Sequence, residues 1–185
     1  MKIAFIGSHG VGKTTLCYDL ASRLKRQDRV VDLVMEVARR SPLPINAETT
    51  LTAQLWILHT QIAEEIAASA AGGIVICDRS VLDNYAYLVH SAGRQPALEP
   101  LLRDWVASYQ RLFKVPIIGA PSFDGRRDVN PGFQAAIDRL IDELAVEFEV
   151  GCSALDPANR DGWIDTVLTE SGLPLRPPQT ELGLA

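Results

Sequence analysis

Cysteine is scarce and poorly placed for covalent or metal chemistry. The chain holds three, Cys17, Cys77 and Cys152. The number is odd, the spacings are wide and no C-x-x-C pair occurs. That argues against a disulfide framework and against a zinc site, and it fits a reducing cytoplasm. Long apolar runs are missing too. No stretch approaches the ~20 apolar residues that cross a bilayer. The opening MKIAFIGSHG meets its first glycine too early for a secretory signal. A basic balance is also missing: the formal net charge is −5 and the pI about 5.2. General binding to duplex DNA or RNA is therefore disfavoured. Lysine is rare, 4 residues against 14 arginines. Genomic base composition accounts for such a bias; phosphate recognition by planar, forked donors is the sharper alternative. Gly and Pro, at 13 and 11, are too few for a fibre.

What is present is a chain of 185 residues, 47% hydrophobic and 22% charged. These values describe one soluble globular domain with a sizeable core. Apolar runs predict strands over Ile3–Ile6, Arg29–Met35, Ile74–Cys77, Val115–Ile118 and Ala145–Val150. Helical periodicity predicts helices over Lys13–Gln27, Glu48–Ala71, Val81–Ser91, Leu98–Leu112, Phe133–Leu144 and Asp161–Glu170. The strands are continuous apolar runs and alternate with helices. The expected fold is therefore α/β, a mainly parallel sheet with helices on both faces. Ligands of such sheets sit at the carboxyl ends of the strands. Gly7, Glu36, Asp78 and the loop after Gly119 all lie at such ends.

Residues 7–14 read GSHGVGKT and fit G-x-x-x-x-G-K-[ST], the P-loop pattern. Its glycines let the backbone curl so that successive N–H groups face a phosphate. The helix starting near Lys13 adds its positive dipole end. Lys13 brings a mobile charge to the β- and γ-phosphates, and the Thr14 hydroxyl suits Mg²⁺. The nucleotide-holding candidates are Gly7, Ser8, His9, Gly10, Val11, Gly12, Lys13, Thr14 and Thr15. His9 is read as a spacer without a chemical role.

The pattern gives nucleotide binding, not the reaction. D-x-x-G, N-K-x-D and L-S-G-G-Q are absent, against switch GTPases and transporter-type ATPases. Many hydrolytic ATPases follow the strand-end Asp with a Glu that activates water. Here the strand ends Asp78-Arg79-Ser80, so a cation stands in that place. A cation cannot take a proton from water, but it can hold a phosphoryl group in flight.

Four segments, GSHGVGKTTL, MEVARR, ICDRSVLDNYAY and FDGRRDVNPGF, carry a resemblance over roughly residues 1–150. The chain resembles the P-loop nucleoside/nucleotide-kinase-like group. More narrowly, it resembles the small AAA-domain family related to the ribosylnicotinamide kinase domain of the bifunctional NAD-biosynthesis regulator. The resemblance implies a three-layer sandwich with a five-stranded parallel sheet of order 2-3-1-4-5. It implies one domain over residues 1–172, with a short lid loop at about 121–131 and a Pro-rich tail over 173–185.

It also implies roles. Glu36 would contact the acceptor hydroxyl and take its proton; a solvated Glu at a helix start is the alternative. Arg39, one turn on, would bind substrate or pair with Glu36. Asp78 would orient Mg²⁺ with Thr14 or help position the acceptor, and Arg79 would clamp phosphate, with a local salt bridge as the alternative. Asp83 and Tyr87 would line the acceptor pocket or simply pack. Arg126 and Arg127 would bring charge from the lid, unless that loop is only a solvated turn. Gln54, Trp56, His59 and Gln61 lie on a helix that edges the acceptor site in similar kinases.

The reading is an ATP- and Mg²⁺-dependent small-molecule kinase, with GTP left open because no N-K-x-D reads guanine. Its acceptor is a nucleoside, nucleotide or ribosyl compound, and it is expected in the cytoplasm, away from membranes. A nucleotide-sensing regulatory module and a slow NTPase are the alternatives. No motif assigns an oligomeric state, and a dimer is left open.

Overall fold

The computed structural model describes residues 1–45, 48–119 and 130–176. Arg126 and Arg127, the expected lid loop up to residue 129 and the expected tail from 177 onward lie outside the described residues.

Five strands form one sheet: β1 (Lys2–Ile6), β2 (Val31–Val34), β3 (Ile74–Asp78), β4 (Arg111–Lys114) and β5 (Ser153–Ala154). Every pairing is parallel and the order is β2-β3-β1-β4-β5. The α/β three-layer sandwich with sheet order 2-3-1-4-5 is thus what the chain adopts. The helices are α1 (Lys13–Lys25), α2 (Leu51–Ser69), α3 (Val81–Ala92), α4 (Glu99–Val106), α5 (Pro131–Glu147) and α6 (Trp163–Glu170).

Alternation along β1 shows how the sheet divides the core. Ile3 and Phe5 face one side and join Leu16, Leu20 and Leu24 of α1 and Trp163 and Val167 of α6. Ala4 and Ile6 face the other and join Leu58 of α2, Leu82 and Tyr85 of α3, and Ile137 and Ile141 of α5. Both faces are covered, which is why the strands read as unbroken apolar runs. Among the described residues no helix is long and apolar enough to cross a membrane.

Two strands differ from expectation. The fourth was expected at Val115–Ile118 and lies at Arg111–Lys114, after a helix that ends at Val106 instead of Leu112. Two charges mask it. Lys114 is buried because α5 supplies Asp138 at 3.2 Å and Asp142 at 2.5 Å, and Arg111 reaches out to the Glu170 carbonyl at 2.7 Å. Phe113 tilts against Phe5 with centroids 6.1 Å apart, fixing the register beside β1. The fifth was expected at Ala145–Val150, but α5 runs through Glu147, and Glu149 turns the chain with φ 56°. The edge strand is Ser153–Ala154, two residues held to Phe113 and Lys114 of β4.

The start of the expected tail is packed. The Leu175 and Pro174 carbonyls accept from Arg23 and Gln27 of the α1 segment at 3.0–3.1 and 2.9 Å.

Candidate active site at the carboxyl ends of the strands

The loop between β1 and α1 owes its shape to glycines with positive φ, Gly7, Gly10 and Gly12. Gly7 has φ 134°, and a Cβ there would lie 2.8 Å from the Val115 carbonyl oxygen. Gly12 caps α1 at φ 94°. Side chains would be strained at both. Val11 anchors the loop in the core, while Thr15 is exposed on the first turn of α1.

Three carboxamide or carboxylate side chains hold this loop from outside. Asp83 Oδ1 accepts from Gly7 N at 2.9 Å, Asp138 Oδ1 accepts from Ser8 N at 3.2 Å, and Gln134 Nε2 donates to the His9 carbonyl at 2.8 Å. No sequence motif marks Gln134 and Asp138. Their signal is a pair of polar residues one turn apart on α5, flanking core residues Ile137 and Ile141. His9 is more than a spacer. Its Nδ1 lies 3.2 Å from the Tyr87 hydroxyl, and its ring packs 5.4 Å from Phe133.

Lys13 is buried and donates to the Gly7 and Ser8 carbonyls at 2.8 and 2.5 Å. Burial, together with the Arg79 charge, lowers its ammonium to about 8, against the pull of Asp83, Asp78 and Glu36. An anion set into the loop would restore the charge. The Thr14 hydroxyl donates to Asp78 Oδ2 at 2.5 Å. Burial raises the Asp78 carboxyl above its ordinary range, while Lys13 and Thr14 oppose the rise.

Thr14 and Asp78 offer hard oxygens side by side at the mouth of the phosphate loop. Among the described residues no cluster of three or more His, Cys, Asp or Glu gathers that could cage a metal alone. Mg²⁺ asks for no such cage, since it takes one or two protein oxygens and completes its shell with phosphates and water. The residues fit that ion.

Arg79 follows Asp78 in a left-handed conformation, φ 89°, where a side chain stores backbone strain. Its guanidinium is buried. Nε and Nη2 donate to Glu36 Oε1 at 3.0 and 2.9 Å, and the plane lies 4.8 Å from the Tyr87 ring centroid. Nη1 is buried and has no hydrogen-bond partner among the described residues. Glu36 sits where β2 passes into the 3₁₀ turn Val37–Arg40. Its second oxygen, Oε2, accepts from Arg39 Nε at 2.8 Å. Burial opposes its ionisation, but Arg79, Lys13 and Arg39 outweigh burial and hold it at about 2. Arg40 pairs with Glu64 at 2.6 Å at the surface.

The fold therefore gathers Lys13, Thr14, Glu36, Arg39, Asp78 and Arg79 from the carboxyl ends of β1, β2 and β3. Asp83 is fully buried, with Oδ1 on Gly7 N and Oδ2 taking the Ser80 amide and hydroxyl, both at 2.9 Å. Both oxygens are engaged inside the protein, beneath the loop. Arg160, just after β5, brings Nη2 to within 3.9 Å of where a Gly12 Cβ would stand.

The model of an AAA domain family matches residues 2–160. No curated protein matches the chain. Among solved structures, thymidylate kinase from Ehrlichia chaffeensis superposes with a TM-score of 0.65 at 20% identity, covering 92% of this chain and 98% of that one. Deoxyadenosine kinase from M. mycoides with bound dATP superposes with a TM-score of 0.66 at 13% identity, covering 93% and 99%. At these identities the likeness shows the fold, a P-loop nucleotide-kinase-like fold.

Proposed function

The chain belongs to this AAA domain family, and from that premise we propose that it is a small-molecule kinase, transferring a phosphoryl group from ATP to a nucleoside, nucleotide or ribosyl compound. The observation that carries the reading is the Arg79 guanidinium, buried, tied to Glu36 and near enough to Lys13 to depress its ammonium, with Nη1 lacking a partner among the described residues. A buried donor without an acceptor is costly, about 1–3 kcal/mol. A phosphoryl oxygen would supply the acceptor.

In this reading the loop amides and Lys13 hold the β- and γ-phosphates, and Lys13 exchanges its two backbone carbonyls for phosphate oxygens. Thr14 and Asp78 would hold Mg²⁺, which would supply neutralisation of phosphate charge. Arg79 stabilises the transferring group, with Arg126 and Arg127 of the lid as further cations. Arg160, beside Gly12 of the loop, is a further candidate cation.

Glu36 orients the acceptor hydroxyl. A carboxylate near 2 is a weak base in the ground state. Phosphoryl transfer nevertheless runs through a loose transition state, so the hydroxyl becomes acidic only as its bond to phosphorus forms. A late proton transfer to Glu36 needs little basicity. Arg39 holds the far oxygen of Glu36 and so sets its direction. Asp83 supports Gly7 and the Ser80 turn and does not meet the acceptor.

The acceptor class rests on the fold shared with a thymidylate kinase and a deoxyadenosine kinase and on the motif resemblance to ribosylnicotinamide kinase domains. MgATP with a panel of nucleosides, nucleoside monophosphates and ribosylnicotinamide tests it, following ADP release and the phosphorylated product by ³¹P NMR. At least one member should give both; ADP without any phosphorylated acceptor refutes the kinase reading.

A second reading has one observation in its favour. Both oxygens of Glu36 are engaged by arginines, an arrangement that also suits a nucleotide-binding regulatory module. Tight MgATP binding with no turnover across the panel would select it. Slow hydrolysis is disfavoured because Arg79 occupies the place of a water-activating Glu.

A further inference from the structure

Glu65 is a fully buried carboxylate with no place in the mechanism above. It lies on α2, one turn past Gln61. Four donors converge on it. Oε2 accepts from Lys2 Nζ at 2.7 Å and from Trp105 Nε1 at 2.8 Å. Oε1 accepts from Gln61 Nε2 at 2.8 Å and from the Tyr109 hydroxyl at 2.6 Å. Lys2 is itself nearly buried, its ammonium lying over the rings of Trp105 and Tyr109 at 4.6 and 4.2 Å. Burying such a pair brings little stability by itself, since desolvation offsets the attraction.

The two groups on Oε1 each have a second contact, and both lead to the same turn. Gln61 Nε2 also lies 3.4 Å from the Arg79 carbonyl oxygen. The Tyr109 hydroxyl also accepts from Val81 N at 3.1 Å. Arg79 and Val81 bracket the turn that leaves β3, and Arg79 is its left-handed residue. Such a conformation persists only where its surroundings over-determine it. One carboxylate oxygen thus grips both ends of the turn that aims the guanidinium.

We propose that Glu65, acting through Gln61 and Tyr109, is a positioning residue that holds the Arg79 turn so that the guanidinium meets the transferring phosphoryl group. The inference rests on the phosphate role given to Arg79 above. It separates two kinds of support: the phosphate loop binds the diphosphate by itself, whereas the Glu65 network acts only on what Arg79 touches.

The probe is MgADP with and without beryllium fluoride, which fills the γ-phosphate position, measured by calorimetry on the full chain. Gln61→Met removes the donor at nearly constant volume. It should weaken binding of beryllium fluoride to the MgADP complex about tenfold and leave MgADP affinity within about twofold. In an Arg79→Ala background the same substitution should have no further effect on beryllium fluoride. Hydrogen exchange at residues 79–82 should quicken in Gln61→Met. Tyr109→Phe, which breaks the other arm, should behave alike and serves if Gln61→Met does not fold. Val167→Ala, on the core-facing side of α6, controls for general loss of stability and should not separate the two ligands.

Equal losses for MgADP and beryllium fluoride, or an undiminished Gln61→Met effect without Arg79, would overturn the inference. A normal loss in Arg79→Ala with none in Gln61→Met or Tyr109→Phe overturns it while leaving the kinase reading intact. Failure of Arg79→Ala, or of the native chain, to show any beryllium fluoride dependence removes the phosphate role of Arg79 and the inference with it.

Discussion

The Thr14 hydroxyl donates to Asp78 Oδ2 at 2.5 Å, joining the first turn of α1 to the carboxyl end of β3. The parallel pairing of β1 with β3, which sets Phe5 beside Asp78, makes this contact. The two oxygens that the proposed function assigns to one cation thus already lie side by side. Asp78→Asn should lower ATP affinity measured with Mg²⁺ by about 10–100-fold. It should change affinity measured in EDTA much less. Calorimetry in the two conditions checks it, and equal losses in both would refute a metal role.

Removing the loop ammonium separates binding from stability. Lys13→Met should weaken MgATP binding by about 2 kcal/mol or more, roughly thirtyfold. The same change removes a charge that burial disfavours but also the donor to the Gly7 and Ser8 carbonyls; the two effects oppose, so the melting temperature should change little. Titration calorimetry and a thermal melt give the two numbers. A large fall in melting temperature would mean that Lys13 is chiefly structural.

Glu36 carries a pH signature. Its folded value of about 2 lies below the ordinary 4.5, so the native state binds fewer protons than the unfolded chain between those values. The resulting stability is fully present above pH 4.5 and is lost as pH falls toward 2. The gap corresponds to roughly 3 kcal/mol. The difference between denaturant stabilities of the native chain and Glu36→Gln should therefore shrink over that window. A difference that stays flat from pH 5 to pH 2 would contradict the ion-pair arrangement.

Asp83 makes a contrasting case. Asp83→Asn places an amide where two donors of Ser80 or the Gly7 amide expect an acceptor. Stability should fall by about 2 kcal/mol, and nucleotide affinity should fall with the disturbed Gly7. The KM for the acceptor should move no more than the KM for ATP. An effect confined to the acceptor KM would return Asp83 to the acceptor pocket.

The chain pattern alone determined the α/β class, the phosphate loop with Lys13 and Thr14, and the strand-end positions of Glu36, Asp78 and Arg79. Those features depend on local chemistry: glycines that curl a loop, apolar runs that must be buried, and polar residues where such runs stop. Only the tertiary structure decided β4 and β5. Lys114 is tolerated inside because Asp138 and Asp142 come from a helix more than a score of residues away, and a two-residue edge strand has no periodicity to detect. It likewise decided that Asp83 supports the loop, that Gln134 and Asp138 hold it, and that Glu65 reaches the Arg79 turn. Each of these depends on a partner brought close by strand order, and linear spacing carries no record of which distant donor will fill a given carboxylate.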